Sequence, residues 1–452
     1  MGKKQSDKKI QTIIILWLII IPVFLAFPTV LSAIPDYDVN MDGSCNILDL
    51  IQVSTHIGET GAPGWIREDV DKNGYVRVLD MILVSNHYGE SGWTDDTSHI
   101  QKLTIAYGSV MGITANQEFI ASHFDMVDCN NNLGAPVTNV KTINPDIKII
   151  GYYDSIMMAT TYSDWSTVDS HEDWFVHDIY GNRIIPTNYP NNRLMNPNSG
   201  WSDYYAQKCL NSLQNYPSYD GIFADDVSID LQGDGYSFTV PFSDFEAGVI
   251  TNWDTWMIQH IQNVQTTIGN KMLMPNAWKH MELCEQATNV TFWEGFIHGR
   301  STAYDSSGYG SSWSYGLLAI NLLHEQASLG NVIAVNSGCK DADGHPVEAK
   351  EWMLFTYACF SFAVVDLNKA YYSWQFYSTD STHGYYSEME TNLGQPIGDY
   401  YHVTGTNRVY AREFVNYYVA ANLDPLGSGD ATFIIDGTSH TLSPRTAVFI
   451  QK

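Results

Sequence analysis

Eight short apolar runs, separated by longer amphipathic stretches, fill most of the sequence after residue 100. The runs do not alternate between apolar and polar residues, which is typical of strands buried on both faces of a parallel sheet. The stretches between them are long enough for the helical crossovers that parallel strands require. The pattern therefore predicts an α/β fold. The predicted strands are Leu103–Tyr107, Phe124–Cys129, Ile147–Asp154, Gly221–Asp226, Met272–Asn276, Thr291–Glu294, Val332–Asn336 and Ala370–Trp374.

A (β/α)8 TIM barrel is the arrangement that closes eight such units, and an open doubly wound sheet is the alternative. A doubly wound sheet that binds a nucleotide carries a glycine-rich turn after its first strand. Residues Gly108–Gly112 match that turn poorly, which favours the barrel. From about residue 405 the pattern changes to short strands separated by turns. We therefore predict a barrel over residues 101–404 and a C-terminal β-domain over residues 405–452.

The charge and the composition exclude several classes of protein. Asp and Glu number 50 against 23 Lys and Arg, so the formal net charge is −27. A nucleic-acid partner is not expected, because binding to phosphates requires a basic surface. Hydrophobic residues make up 44% of the chain and aromatic residues 13%, which suits a large core and argues against disorder. The six cysteines lack a CxxC motif and predict neither a disulfide scaffold nor a thiolate metal site.

The first 33 residues have the three parts of a secretory signal. Four lysines precede an apolar run from Ile13 to Phe27, and a stretch of small residues ends at Ala33. We expect residues 1–33 to be a signal peptide. An uncleaved membrane anchor is the alternative, because Ile13–Ile34 is long enough to span a bilayer. Both alternatives predict a secreted or cell-surface protein, and we expect contact with a membrane only through the leader if it is uncleaved.

An internal repeat follows the leader. Residues 38–61 align without gaps on residues 69–92, with identical residues at 12 of the 24 positions. Each copy begins with a 12-residue loop that has oxygen-bearing side chains at positions 1, 3, 5 and 12 and glycine at position 6. Ca²⁺ binds about six to eight oxygens, and the glycine lets the backbone reverse within a tight loop. The spacing therefore predicts two Ca²⁺ sites, on which folding of a domain with so few apolar residues would depend.

The loop positions define the expected ligands. The first site would use Asp38, Asn40, Asp42, the Ser44 carbonyl, Asn46 and Asp49. The second site would use Asp69, Asp71, Asn73, the Tyr75 carbonyl and Asp80. Arg77 occupies position 9 of the second loop and cannot act as a ligand, so we expect more water and weaker binding there. An apolar helix is predicted after each loop, at Leu50–His56 and at Met81–His87.

Two calcium loops that are each followed by one helix resemble a dockerin, over residues 36–92. Aspartate at position 12, where ordinary EF-hands have glutamate, also fits this resemblance. The resemblance implies a small all-α domain that docks onto a cohesin-bearing protein, followed here by a polar linker at residues 93–100. The residues implied to contact the partner, with the core of the small domain as the alternative role, are Ile47, Leu48, Val78 and Leu79.

The C-terminal ends of the predicted barrel strands locate the candidate active site, because reactive groups of barrel enzymes gather at this face. Strand four ends in Asp225 and Asp226, and strand six ends in Glu294. Carboxylates at the end of an apolar strand are costly unless they are solvated, paired or functional. Acids, amides and aromatic rings that suit recognition of a sugar lie at or near the strand ends. The expected substrate-binding residues are Tyr153, Asp154, Asn276, Trp278, Trp293, Asn336 and Trp374.

Glycoside hydrolysis requires two carboxyl groups that flank one bond. Strands four and six lie on opposite sides of a barrel mouth, which predicts Asp225 as nucleophile or base and Glu294 as general acid. Asp226 is the alternative to Asp225, since neighbouring side chains of a strand point in opposite directions. Trp293 would raise the pKa of the acid by desolvation. The sequence leaves open whether the anomeric configuration is retained or inverted, and no cofactor is expected for catalysis.

Segments of the large domain resemble known glycosidase families. The run Asp220–Asp226 resembles the strand-four signature of α-galactosidase-like barrels, which implies that Asp225 is the nucleophile. That family has an aspartate as acid on strand six, where this chain has Glu294. The resemblance spreads over most of residues 101–452 and implies a glycosidase. Three further segments resemble the hypothetical glycosyl hydrolase-like family fifteen: Asp173–Asn182, Leu194–Trp201 and Tyr410–Phe414.

These observations predict a secreted, dockerin-bearing glycoside hydrolase that acts on an extracellular polysaccharide or oligosaccharide within a cohesin-assembled complex. The alternative is a non-catalytic, calcium-dependent surface protein whose barrel binds carbohydrate. A carbohydrate esterase would need a Ser–His–acid or metal cluster at the rim, and the predicted strand ends carry no such pattern.

Overall fold

The computed structural model describes residues 36–39, 45–61, 66, 68–89, 99–306 and 313–452. The chain divides into two compact units, residues 1–96 and residues 97–452. The predicted leader, most of the predicted linker, and the expected ligands Asn40, Asp42 and Ser44 lie outside the described residues. Among the described residues, no helix is both long and apolar enough to cross a membrane.

The small unit contains two short helices, α1 (Ile47–Thr55) and α2 (Val78–Asn86). Each begins three residues before the predicted apolar helix, because the last turn of each loop is already helical. The chain after α1 pairs with the second loop through an antiparallel bridge between Thr60 and Tyr75. A core this small contributes little stability by itself. Its fully buried apolar residues are Val39, Cys45, Val53, Val76 and Val84.

The large unit is built around a barrel of parallel strands. Its first ten strands are β1 (Gln101–Ala106), β2 (Met126–Asn130), β3 (Lys148–Asp154), β4 (Met157–Ala159), β5 (Asn192–Leu194), β6 (Gly221–Asp225), β7 (Met272–Pro275), β8 (Val290–Glu294), β9 (Val332–Ser337) and β10 (Ala370–Trp374). Strands β4 and β5 form a separate antiparallel pair, and the other eight lie side by side in the order β7-β6-β3-β2-β1-β10-β9-β8. A parallel bridge between Asn276 and Phe292 links the two ends of this series, so the barrel is nearly closed. The predicted α/β barrel is therefore confirmed, and the open sheet is excluded.

Helices pack against the outer face of the strands. They are α3 (Thr114–His123), α4 (Ala135–Ile143), α5 (Trp165–Asp169), α6 (Gly200–Asn215), α7 (Val249–Ile268), α8 (Met281–Leu283), α9 (Trp313–Ser328) and α10 (Pro346–Ala363). Shorter 3-10 turns lie at Val110–Gly112, Glu172–Trp174, Phe242–Asp244, Ala342–Gly344, Leu367–Lys369 and Ser387–Glu390, and a π-helical turn lies at Cys284–Thr288. All six cysteines are buried.

Strand alternation separates two kinds of core. Outward side chains such as Val127 and Ile149 pack with the helices. Inward side chains such as Ile105, Phe223 and Phe292 fill the barrel below its mouth. Only every second residue of a strand points inward, so a shift of one position along the strand decides whether a side chain reaches the barrel mouth.

Antiparallel strands form the C-terminal part of the large unit. They are β11 (Pro396–His402), β12 (Val409–Phe414), β13 (Tyr417–Asn422), β14 (Ala431–Ile435), β15 (Thr438–Leu442) and β16 (Ala447–Gln451). Four of them form a sheet in the order β11-β12-β13-β16, and β14 pairs with β15. The buried Arg412 on β12 donates to the Phe362 carbonyl (2.8 Å) at the end of α10, which attaches the sheet to the barrel. The sheet begins before residue 405, and a domain boundary at that residue remains a prediction.

Candidate active site

A cavity of about 870 Å³, called here the rim cavity, opens among residues at the C-terminal ends of the barrel strands. Part of its wall comes from two loops that pair with each other, where the Thr187 amide donates to the Ser237 carbonyl (2.9 Å). The cavity is strongly acidic, and Arg300 is the one cationic side chain among the described residues that line it. The carboxyl groups that line it belong to Asp154, Asp225, Asp226, Asp234 and Glu294.

Asp225 ends β6 with its side chain at an inward position, two residues after Phe223. The Tyr152 hydroxyl donates to Asp225 Oδ2 (2.8 Å). The Asn276 side-chain amide and the Asp226 backbone amide both donate to Asp225 Oδ1, each at 2.9 Å. Three donors stabilise the negative charge of a carboxylate. Asp225 is therefore suited to act as a nucleophile or base.

Glu294 ends β8 at an inward position, two residues after Phe292. The same Asn276 Nδ2 that donates to Asp225 also donates to Glu294 Oε2 (2.9 Å). The distance between Asp225 Oδ1 and Glu294 Oε2 therefore cannot exceed the sum of their two hydrogen-bond distances to Asn276 Nδ2. The structure brings together the two carboxyl groups that the sequence predicted as a catalytic pair.

Glu294 has surroundings that favour its protonated form. Desolvation in the recessed cavity, and then the charge of Asp225, raise the pKa of Glu294, while the Asn276 hydrogen bond and the charge of Arg300 act in the opposite direction. Arg300 Nε lies 3.8 Å from Glu294 Oε1, and its guanidinium lies 4.1 Å from the ring centre of Phe376. A carboxyl group whose pKa is raised is better suited to general acid catalysis than an ordinary glutamate.

Asp226 lines the same cavity as Asp225, so strand alternation does not separate the two as expected. The physical reason is that Asp226 follows the last strand residue and has a left-handed backbone conformation, with φ of 53°. This turn directs its side chain back to the cavity, where the Tyr236 hydroxyl donates to Asp226 Oδ1 (2.8 Å).

Asp154 and Asp226 form a coupled pair of carboxyl groups beside Asp225. Asp154 lies opposite Asp225 in the register between β3 and β6. Burial, and then the neighbouring carboxylate charges, raise the pKa values of both Asp154 and Asp226. Like charges this close disfavour simultaneous ionisation, so the pair retains a proton at pH values where an ordinary aspartate is ionised.

Sequence reasoning missed two polar residues of the first two strands, Tyr107 directly after β1 and Asp128 within β2. The Tyr107 hydroxyl, after β1, donates to Asp128 Oδ2 in β2. Asp128 is fully buried, and burial raises its pKa, with further increases from the charges of Asp225 and Glu294. The rule that located Asp225 and Glu294 at strand ends identifies Tyr107 when it is applied to β1, and it identifies Asn130, which also lines the cavity, when it is applied to β2. Asp128 lies two residues before the end of β2, where that rule gives no signal. Tyr236 and Arg300 lie on loops, where that rule gives no signal.

Three of the expected substrate-binding residues line the rim cavity: Asp154, Asn276 and Trp278. Four others do not, namely Tyr153, Trp293, Asn336 and Trp374. Tyr153, Trp293 and Trp374 occupy outward strand positions, where they pack in the helix-facing cores. Asn336 points inward but is fully buried, and its side-chain amide donates to Ser373 Oγ (3.0 Å). Tyr152 lines the rim cavity at the place where its neighbour Tyr153 was expected. Because Trp293 faces the helices, it does not line the cavity beside Glu294 and cannot desolvate that residue as expected.

The second calcium loop brings three of its expected ligands together. One carboxylate oxygen from each of Asp69, Asp71 and Asp80 lies within 4.8 Å of the others. The backbone amides of Asn73 and Gly74 donate to Asp69 (3.0 and 2.9 Å), which holds the loop closed around its acids. Oxygen donors in this arrangement fit a hard cation such as Ca²⁺.

Of the first loop, the structure describes Asp38, Asn46 and Asp49. The Asn46 amide donates to Asp49 Oδ2 (2.7 Å), and both Asp38 and Asp49 are fully buried. Carboxylate oxygens are the ligands that a hard cation such as Ca²⁺ prefers.

Comparison with known proteins identifies the family of the chain. A profile of the hypothetical glycosyl hydrolase family 15 matches residues 141–417, which is more than half of the chain. The chain belongs to the hypothetical glycosyl hydrolase family 15. The protein is a glycoside hydrolase, so the alternative of a non-catalytic carbohydrate-binding protein is not retained. No curated protein matches the hydrolase in sequence.

Several solved structures resemble the hydrolase at low sequence identity. The glycoside hydrolase domain of PelA from Pseudomonas aeruginosa is 13% identical, with 62% of this chain and 96% of that chain covered and a TM-score of 0.42. The α-galactosidase TtGalA from Thermus thermophilus is 9% identical over 70% and 65% of the two chains, with a TM-score of 0.43. The noncanonic maltogenic α-amylase AmyB from Thermotoga neapolitana is 10% identical over 79% and 97%, also with a TM-score of 0.43.

Proposed function

We propose that the hydrolase cleaves O-glycosidic bonds of an extracellular polysaccharide or oligosaccharide by a two-carboxylate mechanism. The observation that supports this proposal most strongly is the single amide nitrogen of Asn276, which donates to both Asp225 and Glu294 at 2.9 Å. Two carboxyl groups that share one donor lie close enough to act on the same glycosidic bond.

The proposed reaction has two steps. Glu294 donates its proton to the glycosidic oxygen while the Asp225 carboxylate attacks the anomeric carbon, so that the bond to the leaving sugar breaks and a glycosyl ester forms. Glu294, now ionised, then removes a proton from water, which attacks the same carbon and releases Asp225. The separation that the shared donor imposes suits the roughly 5–5.5 Å of retaining enzymes better than the roughly 6.5–9.5 Å of inverting ones. The proposal therefore includes retention of the anomeric configuration.

A panel of defined glycans tests the proposed reaction. The parent protein is expected to hydrolyse at least one glycan with retained configuration, observed by NMR of the fresh product. Asp225→Asn is expected to lose hydrolysis while binding the same glycan, and Asp254→Asn, an exposed acid on α7, serves as the control with unchanged activity. Inverted product, or full activity of Asp225→Asn, would contradict the mechanism.

We also propose that the small unit is a dockerin that binds two Ca²⁺ ions and that the protein is secreted or displayed at the cell surface. The converging carboxylates of Asp69, Asp71 and Asp80 support a cation in the second loop. Arg77 Nη2 lies 3.1 Å from Asp71 Oδ2, so it neutralises part of the charge that a cation would otherwise meet. The second site is therefore proposed to be the weaker of the two.

A cohesin-bearing protein is the proposed partner of the small unit. The two repeats expose apolar side chains at equivalent positions: Ile47 and Val78 are 53% and 61% exposed, and Ile51 and Ile82 are 51% and 48% exposed. Leu79 is also exposed, so the expected contact residues whose side chains the structure describes lie on the surface and not in the core. Apolar residues repeated on two helices form a surface that suits a protein partner.

Removal of Ca²⁺ tests the proposed dockerin. EDTA is expected to unfold residues 36–92 and abolish capture by a cohesin domain, because the small core contributes little stability without the ions. Circular dichroism should show loss of the small helical contribution while the large unit remains folded, and added Ca²⁺ should restore it. Unchanged cohesin capture in EDTA would overturn the proposal.

A further inference from the structure

A second cavity, of about 580 Å³, adjoins the rim cavity within the large unit. Four residues line both cavities: Asn130, Tyr152, Asp154 and Tyr162. The two cavities therefore share part of their lining and are neighbouring spaces.

The second cavity differs from the rim cavity in its charge. Apart from the shared Asp154, its charged residues are Asp164 and Lys208, and Lys208 Nζ lies 2.7 Å from Asp164 Oδ2. The Tyr204 hydroxyl also donates to that oxygen (2.8 Å). These charges neutralise each other, so the cavity is suited to an uncharged polar ligand.

Side-chain amides are common in the lining of the second cavity. An amide both donates and accepts hydrogen bonds, which matches the hydroxyl groups of a neutral sugar. Asn130 Oδ1 is buried and has no hydrogen-bond partner in the described part of the chain, so an acceptor is available where the two cavities meet. The amide residues of the lining are Asn130, Asn131, Asn132, Gln207, Asn211 and Asn215.

An aromatic ring also marks the junction. Tyr162 is 42% exposed and lines both cavities, so part of its ring is accessible to a ligand that crosses between them. The flat face of an aromatic side chain is a common platform for a pyranose ring, since the apolar face of the sugar covers it.

We propose that the second cavity binds further neutral sugar units of the same chain whose glycosidic bond lies between Asp225 and Glu294. The substrate is then an oligosaccharide or polysaccharide held across several units, and not a single terminal sugar. This inference rests on the proposed function, because it places the reacting bond in the rim cavity.

A blocking substitution tests the second cavity. Asn211 is an exposed residue on the α6 surface that lines this cavity, and Asn211→Trp would fill the space without disturbing the core. Gln214→Trp places the same side chain at an exposed α6 position outside the lining and is the matched control. Gln207→Trp, at another exposed position of the lining, provides a second blocking variant.

The measurement is titration calorimetry with the full chain carrying Asp225→Asn. The probes are the hexasaccharides and disaccharides of cellulose, mannan, xylan, chitin and α-1,4-glucan. The blocking variants are expected to weaken binding of a hexasaccharide by about tenfold or more, while binding of the matching disaccharide and the Gln214→Trp control change by less than about twofold.

Two results would overturn the inference: equal hexasaccharide binding by the blocking variants and the control, or no hexasaccharide binding at all. Failure of the proposed function gives a different result. In that case the parent protein, with Asp225 intact, hydrolyses none of the glycans, whether or not hexasaccharides bind.

Discussion

The ends of β6 and β8 carry chemically similar groups in different surroundings. Asp225, at the end of β6, accepts hydrogen bonds from Tyr152, Asn276 and the backbone of the next residue. Glu294, at the end of β8, shares the Asn276 donor, and desolvation followed by the charge of Asp225 raises its pKa. Three donors therefore stabilise negative charge on Asp225, whereas the surroundings of Glu294 raise its pKa. The proposed mechanism requires this kind of difference between an attacking carboxylate and a general acid.

The largest expected effect distinguishes the two carboxyl groups by the leaving group of the substrate. Asp225→Asn should reduce kcat/KM by about 10⁴-fold on every substrate, because the attacking group is lost. Glu294→Gln should reduce kcat/KM by about 10²–10³-fold on a glycan, but far less on an aryl glycoside whose leaving group needs no proton. Steady-state rates on the two substrate types measure this difference. Equal losses on both substrates for Glu294→Gln would break the assignment.

The next effect concerns the donor that links the two strand ends. Asn276→Ala removes a hydrogen bond from Asp225 and one from Glu294. We expect a decrease in kcat/KM of about 10–100-fold, because the orientation of both carboxyl groups is lost while both remain present. The exposed Asn252→Ala on α7 is a control of the same type. Activity equal to that of the parent would mean that the bridging amide does not position the pair.

A smaller effect is expected in the pH dependence. The Arg300 charge lowers the pKa of Glu294 in opposition to burial, so Arg300→Gln should raise that pKa further. Activity that requires protonated Glu294 falls as pH rises through its pKa, so the alkaline limb of the kcat/KM profile should move to higher pH. The shift should be small, since Arg300 is partly exposed and solvent screens its charge. A shift to lower pH would contradict this assignment of the acid.

The smallest effect is on stability. Burial and the charge of Asp225 raise the pKa of Asp226 above its unfolded value, so the folded state binds more protons and stability falls as pH rises from the acid into the neutral range. Asp226→Asn cannot ionise and therefore removes this loss of stability at higher pH. Its Tm should exceed that of the parent by about 3 °C at pH 8 and by less at pH 5, as measured by calorimetry. A larger increase in Tm at pH 5 than at pH 8 would show that ionisation of the Asp226 carboxyl group does not destabilise the folded protein.

Periodicity made the barrel predictable from the sequence, because apolar strands buried on both faces leave a direct signal. The same pattern did not show which residues of each strand point into the barrel and which point outward. Asp225 and Glu294 were found by their places at strand ends. Trp293 was placed at the mouth although it faces the helices, and Tyr153 lines the second cavity and not the rim cavity, because a continuous apolar run does not show which residues point inward. The inward and outward side chains of a strand are determined only by where its neighbouring strands lie.

Residues on long loops were also beyond the reach of the sequence. Arg300 lies close to Glu294, and Tyr236 donates to Asp226, only because the folded chain returns their loops to the barrel mouth. The conformation of Asp226 is similar, since a left-handed residue after a strand reverses the expected side-chain direction. Contacts between residues distant in sequence depend on tertiary packing, which local patterns do not encode.

The most direct test of the proposed roles is identification of the residue that forms the glycosyl ester. A 2-deoxy-2-fluoro glycosyl fluoride slows hydrolysis of the ester, so the modified protein can be digested and analysed by mass spectrometry, with the 2-fluoro analogues of glucose, galactose, mannose and xylose as the probes. We predict that the label lies on Asp225 and that Asp225→Asn is not labelled. A label on Asp226 or Glu294 would contradict the central claim, as would hydrolysis of a parent sugar without labelling by its fluorinated analogue.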